Sequence, residues 1–177
     1  ESEDGAMAEF EGEQDEPPLV CFTFKLTGQG MCLDVTNDDV DFVTKIVTSS
    51  YFYELQPERV AEVLMKHSEY GGASLTKSGY NQAVRELLPR VAECDAETVK
   101  FLTYALSNVY FSFVPEGEER APFSELATAL SLFCLGSKSA KLQHGFSIFA
   151  WAFDKSQDDL ETLDGSMLRR FLASILG

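Results

Sequence analysis

The feature of the sequence that most constrains the fold is a repeat in which two amphipathic helices flank a short polar loop. Apolar residues recur at three- and four-residue spacings before and after each loop, as is typical of helices with one buried face. Each loop contains a single residue of a kind that is usually buried, namely Leu75, Phe123 and Leu163. The three copies extend over about residues 57–89, 97–135 and 139–176. The pattern predicts an all-α chain built from helix–loop–helix units.

Capping residues and helix-breaking residues divide the chain into seven predicted helices. Ser, Thr, Asp and Asn are favoured just before a helix, and Pro is favoured at its first position. The predicted caps or first residues are, in chain order, Thr36 or Asn37, Pro57, Thr76, Asp95, Ser124, Ser139, and Leu163 or Asp164. The predicted core stripe of the sixth helix consists of Leu142, Phe146, Phe149, Ala150 and Phe153.

The first part of the chain differs from the rest in composition. Residues 1–18 are rich in acids and end in Pro-Pro, so we expect a disordered tail or linker there. Residues 19–26 and 31–35 flank a Gly-containing turn and predict an extended stretch or a small β-hairpin. The helical domain is predicted to cover residues 19–177. Since the first residue is Glu1 rather than Met, we expect a fragment or a processed chain.

The charge of the chain narrows the classes of partner. The formal net charge is −15, and residues 1–16 carry −8 of it. Nucleic acids and anionic membrane surfaces are bound by Lys and Arg, so neither is an expected partner. Basic or amphipathic protein segments are favoured instead. No apolar run approaches the length of about 20 residues that a membrane span requires, so we expect no membrane insertion.

The chemistry-bearing residues argue against an enzyme. The two histidines, His67 and His144, have no partners at a spacing typical of a catalytic triad. We expect His67 at the edge of the core and His144 in solvent. The sequence contains no phosphate-binding glycine motif and no HExxH zinc motif. The four cysteines are widely spaced among apolar residues, which indicates buried free thiols and a reducing, intracellular environment, the cytoplasm.

The repeat resembles the EF-hand superfamily over about residues 57–176. The part most similar to an EF-hand is GFSIFAWAFDKSQDDLETLDGSMLRRFL, where a helix that ends in Asp leads into an acidic loop and a capped helix. The resemblance implies short β-bridges between loops, made by the apolar residue at loop position 8. It also implies calcium ligands at loop positions 1, 3, 5, 7 and 9, with a bidentate Glu at position 12.

The loops depart from this calcium-binding pattern. When Leu75, Phe123 and Leu163 are taken as position 8, position 12 is Gly79, Ala127 and Met167, respectively. Since no loop has the closing Glu in this register, we expect a module that is largely independent of calcium, with no required cofactor.

The third loop offers an alternative, a calcium-responsive sensor that uses residues 154–164. Its candidate oxygen ligands are Asp154, Ser156, Asp158, Asp159 and Glu161. Calcium prefers such hard oxygen ligands, so one Ca²⁺ could bind there. The other reading is that these acids cap the last helix and remain solvated.

Apolar residues outside the core stripes are candidates for binding a partner. They are Phe101, Tyr104 and Tyr110 on the fourth helix and Ile148 and Trp151 on the sixth. These residues predict a groove rimmed by acids that would bind a basic amphipathic helix. The alternative is that a crowded bundle buries both sides of these helices. The sequence therefore predicts a non-catalytic protein-interaction or regulatory module.

Overall fold

The structure is a computed structural model that describes residues 20–26, 31–69, 71–154 and 165–176. The described chain is mostly helical, and its contacts divide it into two compact units between Val43 and Thr44. The boundary between the two units falls within the first helix, and the single domain predicted over residues 19–177 stays a prediction. The two units are therefore described separately.

The first unit contains a β-hairpin followed by the start of a helix. Strands β1 (Val20–Leu26) and β2 (Met31–Thr36) pair antiparallel, which confirms the predicted hairpin. Helix α1 (Asn37–Ser50) follows directly. The Asp39 carboxylate accepts hydrogen bonds from the backbone N–H of Thr36 at 2.8 Å and from its hydroxyl at 2.7 Å. These hydrogen bonds lower the pKa of Asp39 and fix the start of α1.

The second unit contains six more helices and one pair of short strands. In chain order the elements are α2 (Pro57–Lys66), β3 (Ser74–Thr76), α3 (Lys77–Leu87), α4 (Ala96–Ser112), β4 (Arg120–Pro122), α5 (Phe123–Ser131), α6 (Lys138–Asp154) and α7 (Gly165–Leu176). Turns of 3₁₀-helix cover Phe52–Glu54 and Pro89–Glu93. The described ranges thus contain the seven α-helices that the sequence predicts, in the same order.

The predicted caps of α3 and α4 are confirmed. The Thr76 hydroxyl accepts a hydrogen bond from the Gly79 N–H at 3.2 Å, and the Asp95 carboxylate accepts one from the Thr98 N–H at 2.9 Å. For α5 the prediction was wrong, because the helix begins at Phe123 and Ser124 lies inside its first turn. Pro122 precedes the helix in extended conformation and sets the start of α5.

Strands β3 and β4 join two helix–loop–helix units, α2–α3 and α4–α5. They pair antiparallel with Leu75 opposite Ala121, which confirms a short β-pair between these loops. The prediction that Phe123 occupies the bridging position was wrong. Ala121 is fully buried there, and Phe123 starts α5 with its N–H donating to the Ala73 carbonyl at 3.1 Å.

Two buried tyrosines connect α3 and α4 to this strand pair. Tyr80 donates from its hydroxyl to the Leu106 carbonyl at 2.9 Å. The Tyr110 hydroxyl lies 3.1 Å from both the Leu75 and the Glu119 carbonyl oxygens, and its ring centroid lies 5.1 Å from that of Tyr80. Burial raises the pKa of both hydroxyls, so they remain neutral hydrogen-bond partners.

Helix α6 buries only part of the stripe predicted for it. Phe149 is 1% exposed as predicted, but Leu142 and Phe146 are 39% and 40% exposed, and Ile148, which was placed outside the stripe, is 7% exposed. The reason is the close approach of α5 at Gly145, where an added Cβ would lie 2.7 Å from the Thr128 methyl group. Because glycine has no side chain, the pattern of large apolar residues in the sequence gives no sign of this helix contact. The side chain of Phe153 lies outside the described residues.

The tyrosine contact to the strand pair can be tested by removing a single hydroxyl. We expect Tyr110→Phe to lower the free energy of unfolding by about 1–2 kcal/mol, because the Leu75 and Glu119 carbonyl groups lose the one hydroxyl donor that they share. The matched control is Tyr104→Phe, since Tyr104 is 64% exposed on the same helix and should change stability by less than about 0.5 kcal/mol. Urea unfolding followed by circular dichroism measures both. Equal effects of the two substitutions would contradict the assigned role of Tyr110.

Candidate functional site

A groove runs between α2 and α6 and has a volume of about 320 Å³. Helix α2 contributes Ala61 and Met65, and α6 contributes Ile148 and Trp151. Phe123, at the start of α5, lies between them, with its ring centroid 6.2 Å from that of Trp151 in an edge-to-face arrangement. The groove is therefore a mainly apolar surface with an aromatic residue at its edge.

The loop before β3 holds the large side chains of this groove in place. Gly72 is buried and has a φ of +98°, a conformation that favours glycine. A Cβ at Gly72 would collide with the Met65 sulfur and lie 3.1 Å from the Trp151 ring. The Gly71-Gly72 turn thus permits close contact between loop backbone and the two residues that dominate the groove.

Acidic side chains rim the groove on α2. Glu58 and Glu62 are one helical turn apart, and their side chains are 66% and 69% exposed. Arg59 Nη1 lies 3.6 Å from a Glu62 carboxylate oxygen, but no Lys or Arg is among the described residues that line the groove. The rim therefore presents negative charge beside apolar surface.

His144 also lines the groove, and the prediction that it is exposed was wrong. Its side chain is 17% exposed because its position on α6 turns it toward α2. Its Nδ1 lies 3.7 Å from a Glu58 carboxylate oxygen. Among the described residues, its Nε2 is the one buried side-chain nitrogen or oxygen without a hydrogen-bond partner.

The five apolar residues singled out from the sequence do not form one surface. Trp151 lines the groove and is 38% exposed, while Ile148 lines it but is 7% exposed. Tyr104 is 64% exposed elsewhere on α4, and Phe101 is half-buried with the Lys45 Nζ 4.5 Å above its ring. Tyr110 is 1% exposed, so the structure places it in the core rather than on a binding surface. Its hydroxyl is used by the strand pair, which periodicity alone could not indicate.

Sequence reasoning missed the α2 side of the groove. Glu58, Glu62 and Met65 follow the spacing that places residues on adjacent turns of one helix face. This spacing was visible in the sequence, but nothing in it indicated that α6 would lie alongside.

The first loop departs from the calcium-binding pattern at both of its end positions. Counted from Leu75 as position 8, position 1 is Ser68, whose hydroxyl donates to the Met65 carbonyl at 2.6 Å. Position 12 is Gly79, where an added Cβ would lie 2.5 Å from the His67 carbonyl oxygen. A bidentate Glu at this position would require the backbone to move.

In the structure, the loop positions of the second loop are numbered differently from the count made on the sequence. Because Ala121 pairs with Leu75, Ala121 takes position 8, and the closing position 12 becomes Glu125 rather than Ala127. The sequence count from Phe123 had missed this acid. Position 1 then becomes Val114, which has no side-chain oxygen, and a Glu125 carboxylate oxygen accepts a hydrogen bond from Arg170 Nε at 2.6 Å. The loop thus has a closing carboxylate but lacks its first ligand.

The candidate ligands of the third loop cannot be placed. Ser156, Asp158, Asp159 and Glu161 lie outside the described residues, as does the side chain of Asp154 at the end of α6. Within the described ranges, no group of three or more His, Cys, Asp or Glu side chains is arranged to hold a metal ion.

His67 belongs to an ion-pair cluster that joins α2 to α3. The Glu86 carboxylate accepts a hydrogen bond from Lys66 Nζ at 2.8 Å and lies 2.9 Å from His67 Nε2. Arg59 Nη2 lies 3.4 Å from its other oxygen. Hydrogen bonds from Lys66 and His67 lower the pKa of Glu86 to about 2. The His67 side chain is 18% exposed, as expected for the edge of the core.

Comparisons of the chain with models of protein families, with curated proteins and with solved structures find no match. None of the helices in the described part of the chain combines the length and the apolarity that crossing a membrane requires.

The Glu86 cluster predicts a particular dependence of stability on pH. Folding lowers the pKa of Glu86 from 4.5 to about 2, so its contribution is present above pH 4.5 and is lost as the pH falls toward 2. We expect Glu86→Gln to reduce the loss of stability across this interval, measured as urea midpoints at successive pH values.

The control for this measurement is Glu118→Gln, an exposed acid in the second loop. It should leave the difference between the high-pH and low-pH midpoints close to that of the wild type. If Glu86→Gln had the same pH dependence as the wild type, the cluster would not be a stabilising contact.

Proposed function

We propose that this chain is a non-catalytic, EF-hand-like interaction module that binds a basic amphipathic helix of a partner protein, without calcium, in the groove between α2 and α6. The observation that carries the proposal is the combination of an apolar groove, an accessible Trp151 and an acidic rim at Glu58 and Glu62. Amphipathic helices bind such grooves through apolar anchors spaced three or four residues apart. Basic residues beside those anchors would meet the acidic rim.

The arrangement of the two helix–loop–helix units supports an EF-hand-like module. Their loops pair through β3 and β4, and α2 of the first unit packs against α5 of the second. A chain with this pairing can present the outer faces of its first and last helices to a partner. The groove uses one such face, because α2 forms one of its sides.

Calcium independence is supported by the two loops that the structure describes. The first loop has no room at Gly79, and the second has Val114 at the position of the first ligand. Losing a ligand at either end of the loop removes hard oxygen atoms that Ca²⁺ requires.

Calorimetric titration with two matched peptides tests this proposal. One probe is a synthetic Leu/Lys peptide of about 18 residues, which forms about five helical turns with its Leu residues on one face. The other has the same Leu positions with Glu in place of Lys. With EDTA present, we expect saturable binding of the Lys peptide and much weaker binding of the Glu peptide.

Substitutions in the chain locate the binding. Trp151→Ala should weaken binding of the Lys peptide by about thirtyfold, since aromatic anchors in interfaces contribute about 2 kcal/mol or more to binding. Replacing Glu58 and Glu62 together by Gln should weaken binding of the Lys peptide severalfold, mainly at low salt. Tyr104→Ala is the matched control, because Tyr104 is an exposed aromatic residue that does not line the groove.

Two outcomes would contradict the proposal. If Trp151→Ala and Tyr104→Ala lowered the affinity for the Lys peptide equally, the peptide would not be bound in the groove. Binding that occurs with millimolar calcium and disappears in EDTA would favour the sensor that uses residues 154–164.

A further inference from the structure

A second cavity lies between α3 and α4, on helices that do not line the α2–α6 groove. Its volume of about 540 Å³ falls within the range of roughly 300–1,000 Å³ that is usual for small-molecule sites. Tyr80, Leu102 and Leu106 line it and are 1%, 1% and 4% exposed. The 3₁₀ turn Pro89–Glu93 contributes further apolar lining residues at one end. The cavity is thus a mainly apolar site enclosed by two helices and a turn.

The burial of its lining indicates what kind of molecule it can take. Tyr80, Leu102 and Leu106 form its buried floor, whereas the lining residues Val84, Val91 and Val99 are half-buried, so a ligand can reach them. A flexible alkyl chain is slender enough to enter between α3 and α4.

The charges around this cavity are the reverse of those around the first groove. The chain contains 29 acids, yet no Asp or Glu is among the described residues lining this cavity. Arg85 is the one charged residue that lines it, and it is exposed. A second cation is adjacent, because Lys77 Nζ donates to the hydroxyl of the lining residue Ser107 at 3.0 Å.

Within the described residues, Arg85 and Arg169 are the two arginines that lack an acidic partner. Four other arginines form ion pairs with glutamates, namely Arg59, Arg90, Arg120 and Arg170. Within the described residues, Arg85 has no carboxylate oxygen within ion-pair distance. In a chain with net charge −15, an arginine without an acidic partner at the edge of an apolar cavity is suited to binding an external anion.

We propose that the α3–α4 cavity binds an amphiphilic anion, a molecule with a long alkyl chain and one carboxylate. The alkyl chain lies against Val84, Val91 and Val99, where burial of its methylene groups provides the main driving force. The carboxylate accepts hydrogen bonds from the Arg85 guanidinium group at the edge of the cavity. This site is separate from the proposed peptide groove, so either can be present without the other.

Calorimetric titration of the full chain with hexadecanoate, below the concentration at which it forms micelles, tests the site. We expect saturable binding of one molecule per chain. Arg85→Gln should weaken it about tenfold, which is the loss of one charged hydrogen bond. Arg169→Gln is the matched control, because it removes the same charge from an exposed position on α7 and should leave binding unchanged.

A blocking variant tests whether hexadecanoate binds in the cavity or on the outer surface. Thr103 is an exposed lining residue, so Thr103→Trp should place an indole over the cavity without disturbing the core, and should abolish hexadecanoate binding. Thermal unfolding of each variant verifies that it remains folded.

Several results would overturn the proposal. They are the absence of saturable binding to the wild-type chain, an equal effect of Arg85→Gln and Arg169→Gln, and undiminished binding to folded Thr103→Trp. Hexadecanol that binds as tightly as hexadecanoate would exclude the role given to the carboxylate. Displacement of hexadecanoate by the Leu/Glu peptide would indicate an acidic helix as the occupant instead.

Discussion

The pairing of β3 with β4 is the interaction on which the helical unit depends. Leu75 and Ala121 are fully buried opposite one another, and the hydroxyl of Tyr110 contacts carbonyl groups from both loops. Since α3 starts directly after β3 and α5 directly after β4, this short pair fixes where both helices begin. A shift of one residue in the pairing would turn each helix by about 100° and expose its core face.

The same framework places two cavities of opposite charge on one unit. The α2–α6 groove has Glu58 and Glu62 on its rim, whereas the α3–α4 cavity has only Arg85 as a charged lining residue within the described chain. The acidic rim favours the basic helix proposed for the groove, and the single cation favours the alkyl carboxylate proposed for the cavity.

The sequence predicted elements well where the signal was local. The caps at Thr76 and Asp95 and the start of α2 at Pro57 depend on neighbouring residues alone, and the structure confirms them. The prediction also anticipated a strand pair between loops, but chose Phe123 over Ala121 because a large apolar residue is the stronger signal. Likewise, α6 turned its Gly145 face toward α5, which no count of large apolar residues can indicate. These errors concern contacts between distant segments.

At the candidate site, too, the sequence indicated a residue within one helix but not its neighbours from other elements. Trp151 was singled out from its position on α6, but its neighbours Met65 and Phe123 come from other elements. The acidic loop at residues 154–164 lies almost wholly outside the described residues, so the sensor alternative stays a prediction.

The central claim is that a basic amphipathic helix binds the α2–α6 groove without calcium. Trp151 is the single tryptophan of the chain and lies in that groove, so its fluorescence reports directly on the site. Titration of the Leu/Lys peptide, which contains no tryptophan, into the chain in EDTA should shift the emission saturably to shorter wavelength as Trp151 leaves water. The account would be contradicted by emission that is unchanged while the peptide binds, or that shifts only after calcium is added.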